Sequence, residues 1–165
     1  MSRAVLSIGS NLDDRVAHLR SVVEGLSPYL VGVSAVFQTP PWGGVEQQEF
    51  YNAILIVDDP EANAADWLRR GQECEQRAGR TREVHWGPRT LDVDVLTVDD
   101  VISEDPALTL PHPRLAERAF VLVPWWSLDP EAMVPGRGSV LELMQALPPG
   151  EVDAVQPLLG LELRS

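Results

Sequence analysis

Thr90-Leu91-Asp92-Val93-Asp94-Val95-Leu96-Thr97-Val98 opens with a strict alternation, in which Asp92 and Asp94 fall between the apolar residues Leu91, Val93 and Val95. Successive side chains of a strand point to opposite faces, so this period predicts a strand over 90–98. The apolar trio enters a core and both carboxylates share the other face. Their Cα atoms would stand ~6.6 Å apart at a rise of ~3.3 Å per residue. Two like charges held that close disfavour double ionisation unless a cation relieves them. Hard oxygen ligands at this spacing suit magnesium, particularly where phosphates complete the shell. Two metal ions about 3.5–4 Å apart could also share the pair. Taken alone, the pattern equally describes a solvent-facing strand with acidic decoration, and Asp58-Asp59 and Asp99-Asp100 read only as turn residues.

The residues just upstream favour the metal reading. Arg77, Arg80, Arg82 and Arg89 precede the aspartates closely, and Arg80 and Arg82 flank Thr81 in a loop entered through Ala78-Gly79. Guanidinium groups stay charged and match phosphate oxygens in bidentate fashion. A cationic loop beside a carboxylate-bearing strand is what an anionic polyphosphate requires, although a solvated basic loop has the same composition. Trp86, in Trp86-Gly87-Pro88-Arg89, either anchors that loop in the core or offers a flat face to a heterocycle.

Further outward the periodicities give an order of elements. Ala4–Ile8 reads as a buried strand, Gly9-Ser10-Asn11 as a turn, and 13–26 as a helix capped by Ser10 or Asn11. Leu12, Val16, Leu19, Val23 and Leu26 form its apolar stripe. Strands follow over 30–38 and 50–57, separated by the breaker Thr39-Pro40-Pro41-Trp42-Gly43-Gly44. A second helix over 62–77 places Leu68, Gln72, Glu75 and Gly79 on one line. With the strand at 90–98 this is β-α-β-β-α-β, an α+β, ferredoxin-like pattern. It implies an antiparallel sheet with both helices on one face and the other face free for ligands. Short helices are expected at 115–125 and 140–146 in the proline-punctuated remainder.

Bulk composition sets limits on function. The 165 residues suit a single domain spanning 1–165, and 44% hydrophobic with 23% charged residues is ordinary globular composition. A net charge of −12 argues against generic nucleic-acid binding. It also means that an anionic substrate must meet locally concentrated arginine or metal. All thirteen basic residues are arginine, so a Walker lysine and a Schiff-base nucleophile are excluded. One cysteine, Cys74, allows neither an internal disulfide nor a multi-cysteine metal site. No run approaches a membrane span, the first residues do not read as a secretory signal, and a cytoplasmic protein is expected.

Trp86-Gly87-Pro88-Arg89-Thr90-Leu91-Asp92-Val93-Asp94 closely resembles the signature of the 6-hydroxymethyl-7,8-dihydropterin pyrophosphokinase family. Five further stretches agree in order: Ile8-Gly9-Ser10-Asn11-Leu12, Thr39-Pro40-Pro41, Phe50-Tyr51-Asn52-Ala53, Gly79-Arg80-Thr81-Arg82 and Leu110-Pro111-His112-Pro113-Arg114-Leu115. Arg118-Ala119-Phe120-Val121 also fits, and the likeness runs from about Val5 to Pro135. The resemblance implies a ferredoxin-like fold, a role in folate biosynthesis, two Mg2+ ions, and transfer of pyrophosphate from ATP with release of AMP. It implies that Asp92 and Asp94 are the metal ligands and that Arg80 and Arg89 stabilise the transferred group, with Arg82 as their loop partner. Gln72, Glu75, Val95, Thr109, His112 and Arg118 would join Arg80, Arg82 and Arg89 in contacting ATP. Thr39, Pro40, Trp42, Phe50, Asn52, Trp86 and Phe120 would surround the pterin.

This sequence departs from the family pattern at Trp42, where a smaller apolar residue often stands. Phe50 lacks the hydroxyl of a tyrosine, the loop between Arg82 and Trp86 is shorter, and Ala107 replaces an arginine. On residue type alone several of these positions have plainer readings. Asn52 could satisfy edge backbone groups, Phe120 could be core, His112 a surface turn residue, and Gln72 and Glu75 a polar helix face. The expected partners are ATP and the pterin, without nucleic acid or membrane, and the expected state is a monomer. Two other readings are a non-catalytic ferredoxin-like module that binds nucleotide or a partner, and a metal-dependent nucleotidyltransferase that would release pyrophosphate.

Overall fold

The computed structural model describes residues 2–12, 14–40, 49–79 and 91–164. Strand β1 (Arg3–Ser10) lies centrally, antiparallel to β4 (Phe50–Asp58) on one side and to β5 (Asp92–Val98) on the other. Between β1 and β4 in sequence come helix α1 (Arg15–Gly25) and the short strands β2 (Leu30–Val33) and β3 (Phe37–Thr39), both paired with β4. Helix α2 (Ala64–Arg77) leads into β5. With β2 and β3 counted as one broken strand, the four core strands lie in the spatial order fourth, first, third, second. The fold is the expected ferredoxin-like antiparallel arrangement.

Alternation along each strand sorts the side chains. Leu6 and Ile8 of β1, Ala53, Leu55 and Val57 of β4, and Val93 and Val95 of β5 are buried in one cluster with Leu19, Val22 and Leu26 of α1 and Trp67 and Cys74 of α2. Both helices therefore cover the same face, and each fully buried leucine or isoleucine there stabilises the fold by about 1.5–3 kcal/mol.

Local chemistry moves several expected boundaries. Gly9 and Ser10 continue β1 instead of turning, so neither Ser10 nor Asn11 caps α1. Asp14 does: its carboxylate accepts the Ala17 N–H at 3.0 Å. Val22 joins the buried stripe of α1, which Leu12 borders only as a half-buried residue. The single strand expected over 30–38 is broken at Ser34-Ala35-Val36. There the Ser34 N–H donates to Ile54 O at 2.9 Å, while the Ser34 hydroxyl accepts the Ile54 N–H at 2.8 Å. The side chain thus stands in for a strand carbonyl and ends β2 without orphaning a buried amide.

Helix α2 begins later than expected, behind an Asn63–Asp66 capping box with both hydrogen bonds at 2.9 Å. Its buried line is Trp67, Gly71, Cys74 and Glu75, so the expected line through Leu68, Gln72 and Gly79 is displaced around the helix and Gln72 is exposed. Gly79, at φ +72°, ends the helix in the left-handed region that a side chain disfavours.

The opposite face of the sheet is not wholly free. A 3-10 turn (Leu115–Glu117), helix α3 (Ala119–Leu128), the hairpin β6 (Met133–Val134) with β7 (Gly138–Ser139), and helix α4 (Val140–Gln145) pack over it. They bury Val5, Ile54 and Leu96 against Leu115, Val121, Leu122, Trp125, Val134 and Val140. The helix expected over 115–125 is divided because Arg118, at φ −114° and ψ 99°, is extended. Helix α5 (Pro149–Asp153) and strand β8 (Gln156–Pro157), which sequence reading did not anticipate, follow; β8 pairs with the outer edge of β3. These elements cover Val5, Ile54 and Leu96, while Asp92, Asp94, Gly9 and Asn52 lie towards the other end of the sheet.

Candidate active site

Across that end of the sheet, register makes a row. Asp92 of β5 stands opposite Gly9 of β1, Gly9 opposite Asn52 of β4, and Asn52 opposite Phe37 of β3. Directly opposed residues share a face. Asp94 stands opposite Ser7 in the next row, and Thr39 opposite Phe50. Asp92 and Asp94 are half-buried while Val93 between them is buried in the helix-side core. Their side chains lie on one face of β5, as the alternation predicted. With strands ~4.8 Å apart, the Asp92 and Asn52 backbones stand about 10 Å from each other.

Gly9 is required by close approach. A Cβ placed there would lie 2.6 Å from Asn52 Nδ2. The Asn52 amide is thus laid across the strand beside it. The Thr39 hydroxyl donates to Asn52 Oδ1 at 3.4 Å, which leaves Nδ2 as the donor end above Gly9. Asn52 sits on an inner strand and is 4% exposed, so it does not satisfy an edge backbone. Sequence reading took Gly9 for a turn residue, and no feature of the sequence alone distinguishes that from a cleared path for a neighbouring side chain.

Arg118 and His112 approach the acidic pair from the opposite layer. Arg118 Nη1 lies 3.7 Å from Asp94 Oδ2, and its guanidinium carbon stands 5.5 Å from the centre of the Phe120 ring. Phe120 is half-buried against Phe37, Ala119 and Val155, so it belongs partly to the core. His112 is carried beside β5 by its N–H donating to Leu96 O at 2.8 Å. Its Nδ1 accepts the Arg114 N–H at 3.2 Å, which puts the proton of the neutral ring on Nε2.

Burial first, then the charges of Arg118, Arg114 and Arg137, push the His112 pKa down to about 4, with Asp92 opposing. Unfolding returns the group to about 6.5. The unfolded chain then binds more protons between those values, so stability is full above the unfolded pKa and is lost as pH falls from about 6.5 towards 4. We expect the imidazole signals of His112 in NMR to stay those of the neutral ring down to pH 5.5. A midpoint near 6.5 in the folded protein contradicts the burial that shifts it.

The remaining expected contacts divide. Glu75 is buried, and its Oε2 accepts the Val93 N–H at 2.9 Å, tying α2 to the outer edge of β5. For Glu75 this is not the ordinary polar helix face of the plain reading. The Val95 side chain is in the core, so any contact with a nucleotide comes from its backbone. The Thr109 hydroxyl donates to Asp105 O at 3.0 Å, half-buried in the loop beyond β5. Pro40 is exposed immediately after β3, and Phe50 is half-buried. Trp42, Arg80, Arg82, Trp86 and Arg89 lie outside the described residues.

The donor set fits magnesium bound with a nucleotide. Two hard carboxylates are offered on one face, and no group of three or more His, Cys, Asp or Glu that could hold a metal occurs among the described residues. Phosphate and water oxygens would have to complete the shell.

Residues 5–130 match the sequence profile of the 7,8-dihydro-6-hydroxymethylpterin-pyrophosphokinase family. The chain belongs to this family. The pyrophosphokinase of Mycobacterium tuberculosis is 46% identical over 94% of this chain and 89% of its own, and that of Mycobacterium leprae 47% identical over 99% and 92%. The Methylorubrum extorquens enzyme is 38% identical over 94% of this chain and its full length. Among solved structures, the HPPK-DHPS chain of Plasmodium falciparum with pteroate superposes with a TM-score of 0.67 at 12% identity, which shows the fold. The match covers 87% of this chain but 44% of that one. The pyrophosphokinase is an ATP-dependent diphosphotransferase acting in folate biosynthesis. The readings as a non-catalytic module or a nucleotidyltransferase are not favoured. No helix among the described residues is long and apolar enough to cross a membrane.

Proposed function

We propose that this pyrophosphokinase joins its two substrates across the row Asp92–Gly9–Asn52, with the triphosphate at the acidic end and 6-hydroxymethyl-7,8-dihydropterin at the amide end. The observation that carries this reading is the placement of two carboxylates and a presented amide on one sheet face, about 10 Å apart by strand spacing. Asp92 and Asp94 would hold two Mg2+ ions. When bound, magnesium supplies positive charge to the phosphates and lowers the pKa of the attacking hydroxyl.

The protein's own groups do the rest by position and charge, which is most of what phosphoryl chemistry asks. Asn52, with its Oδ1 held by Thr39, presents N–H donors to an acceptor on the pterin ring. Phe50 and Phe120, together with Pro40, Trp42 and Trp86, would enclose the heterocycle. Arg118, already beside Asp94, is placed to turn its guanidinium to a phosphate. Arg80, Arg82 and Arg89 would add cationic charge around the transferred group. Gln72, Glu75, Val95, Thr109 and His112 would line the nucleotide side, with His112 a neutral Nε2–H donor. The hydroxymethyl oxygen forms a bond to the β-phosphorus as the bond to the α-phosphate bridging oxygen breaks, and AMP leaves. No side chain is assigned as general base: the hydroxyl proton, made more acidic when magnesium is bound, passes to water.

The reading takes the 165-residue chain as one domain acting as a cytoplasmic monomer, in keeping with a single buried cysteine and a net charge of −12. Its metal stoichiometry is tested by titrating Mn2+ in the presence of a non-transferable ATP analogue, read by electron paramagnetic resonance. Two bound ions are expected; a single ion at saturation contradicts the two-metal arrangement.

A further inference from the structure

The family profile ends at residue 130, yet the segment beyond it reaches back to the pterin side of the site. Strand β3 is three residues long and carries Thr39 at its end. The Ser34 break separates it from β2, so it does not inherit that strand's order. Its inner edge pairs with β4 and its outer edge with β8, as Phe37 opposite Pro157 and Gln38 opposite Gln156. Leu158 N–H adds a hydrogen bond to Val36 O at 2.8 Å. Pro157 has no N–H, which suits a strand that closes the sheet at its rim.

A small apolar cluster lies behind this pairing. Phe37, Ala119 and Val155 are buried together, and Phe120, Leu147 and Val152 pack against them. Val155 therefore touches a cluster that supports two neighbours of the substrate at once. Phe37 shares a strand face with Thr39, two residues on, and stands opposite Asn52. Ala119 precedes Phe120 at the start of α3. Leu147 of the tail packs against the same cluster from its half-buried side, whereas Val155 is buried within it. Leu163, also buried, packs into the cluster between the sheet and α1 and α2.

We propose that the C-terminal segment Val152–Pro157 is a positioning element for pterin recognition, with Val155 its central positioning residue. It rests on the reading that Asn52 and its neighbours meet the pterin. The segment touches no substrate; it fixes where Thr39 and Phe120 stand. Loosening it costs pterin affinity first: Asp92 and Asp94 are on β5 at the far side of the sheet, and the segment reaches the nucleotide end only indirectly, through Arg118 beside Ala119 and Phe120.

The test measures KM for each substrate and kcat on Val155→Ala, Val155→Ile, Leu163→Ala and Asn52→Ala, at a temperature where calorimetry shows all four folded. Val155→Ala should raise the pterin KM by roughly three- to tenfold while kcat and the ATP KM stay within about twofold, since misplacing a positioning group acts on the substrate it orients. Val155→Ile should restore the pterin KM. Leu163→Ala should lower Tm without moving the pterin KM. An unchanged pterin KM in Val155→Ala, or equal rises for both substrates, overturns the proposal while Asn52→Ala still raises the pterin KM. If Asn52→Ala leaves the pterin KM unmoved, the subsite assignment itself fails, and the proposal with it.

Discussion

Asp94→Ala is expected to leave a folded protein whose turnover falls by roughly 10³-fold, the scale on which loss of one preorganised electrostatic group acts. The Asp94 side chain is 36% exposed, and its backbone stays paired in β5. Its removal empties no core volume, and substitutions of that kind usually change stability by about 0.5 kcal/mol or less. The remaining Asp92 cannot replace it from the next same-face position, because a strand advances ~6.6 Å over two residues. Asp94→Asn keeps the shape but not the charge, and should lose nearly as much. Single-turnover kinetics with circular dichroism on the same samples check both halves. Substantial magnesium-dependent turnover in either variant contradicts the assignment of Asp94 as a metal ligand.

Gly9→Ala should weaken pterin binding by roughly 10–100-fold, because a site built to hydrogen-bond a polar ring loses most when its own polar group is displaced. The added methyl would meet Asn52 Nδ2 at 2.6 Å, and the amide must swing out of the position that Thr39 holds. Asn52→Ala removes the obstructing amide. In that background Gly9→Ala should therefore cost almost nothing further, a strong non-additivity in a double-mutant cycle. Calorimetric titration with the pterin and a non-transferable ATP analogue measures it. Additive losses would mean that Gly9→Ala acts by distorting β1, not through Asn52.

Gly9 also shows where sequence reading reaches its limit. The alternation Leu91-Asp92-Val93-Asp94 was legible because a strand's period is two and its faces follow directly. The ferredoxin-like order was legible for the same reason, from strand and helix periods in succession. Close approach between strands is not periodic: that Asn52 lies over Gly9 depends on the register of β1 against β4, which no local pattern encodes. Ser34 is a similar case. A valine-rich run from Leu30 to Gln38 reads as one strand until a serine side chain accepts the Ile54 N–H and breaks it. Glu75 reads in the sequence as part of a polar helix face or as an ATP contact, yet it reaches the Val93 amide on β5, a contact set by how α2 crosses the sheet. The tail strand β8 escaped notice because two residues containing a proline carry almost no strand signal.

The most direct measurement follows phosphorus. The protein, MgATP and 6-hydroxymethyl-7,8-dihydropterin are incubated and the products separated and read by 31P NMR. An acidic pair and a presented amide serving pyrophosphoryl transfer predict AMP and pterin diphosphate in equal amounts, and roughly 10³-fold less of both in the same time with Asp94→Ala. ADP with a pterin monophosphate, free pyrophosphate with a nucleotidylated pterin, or equal yields from the variant would contradict it.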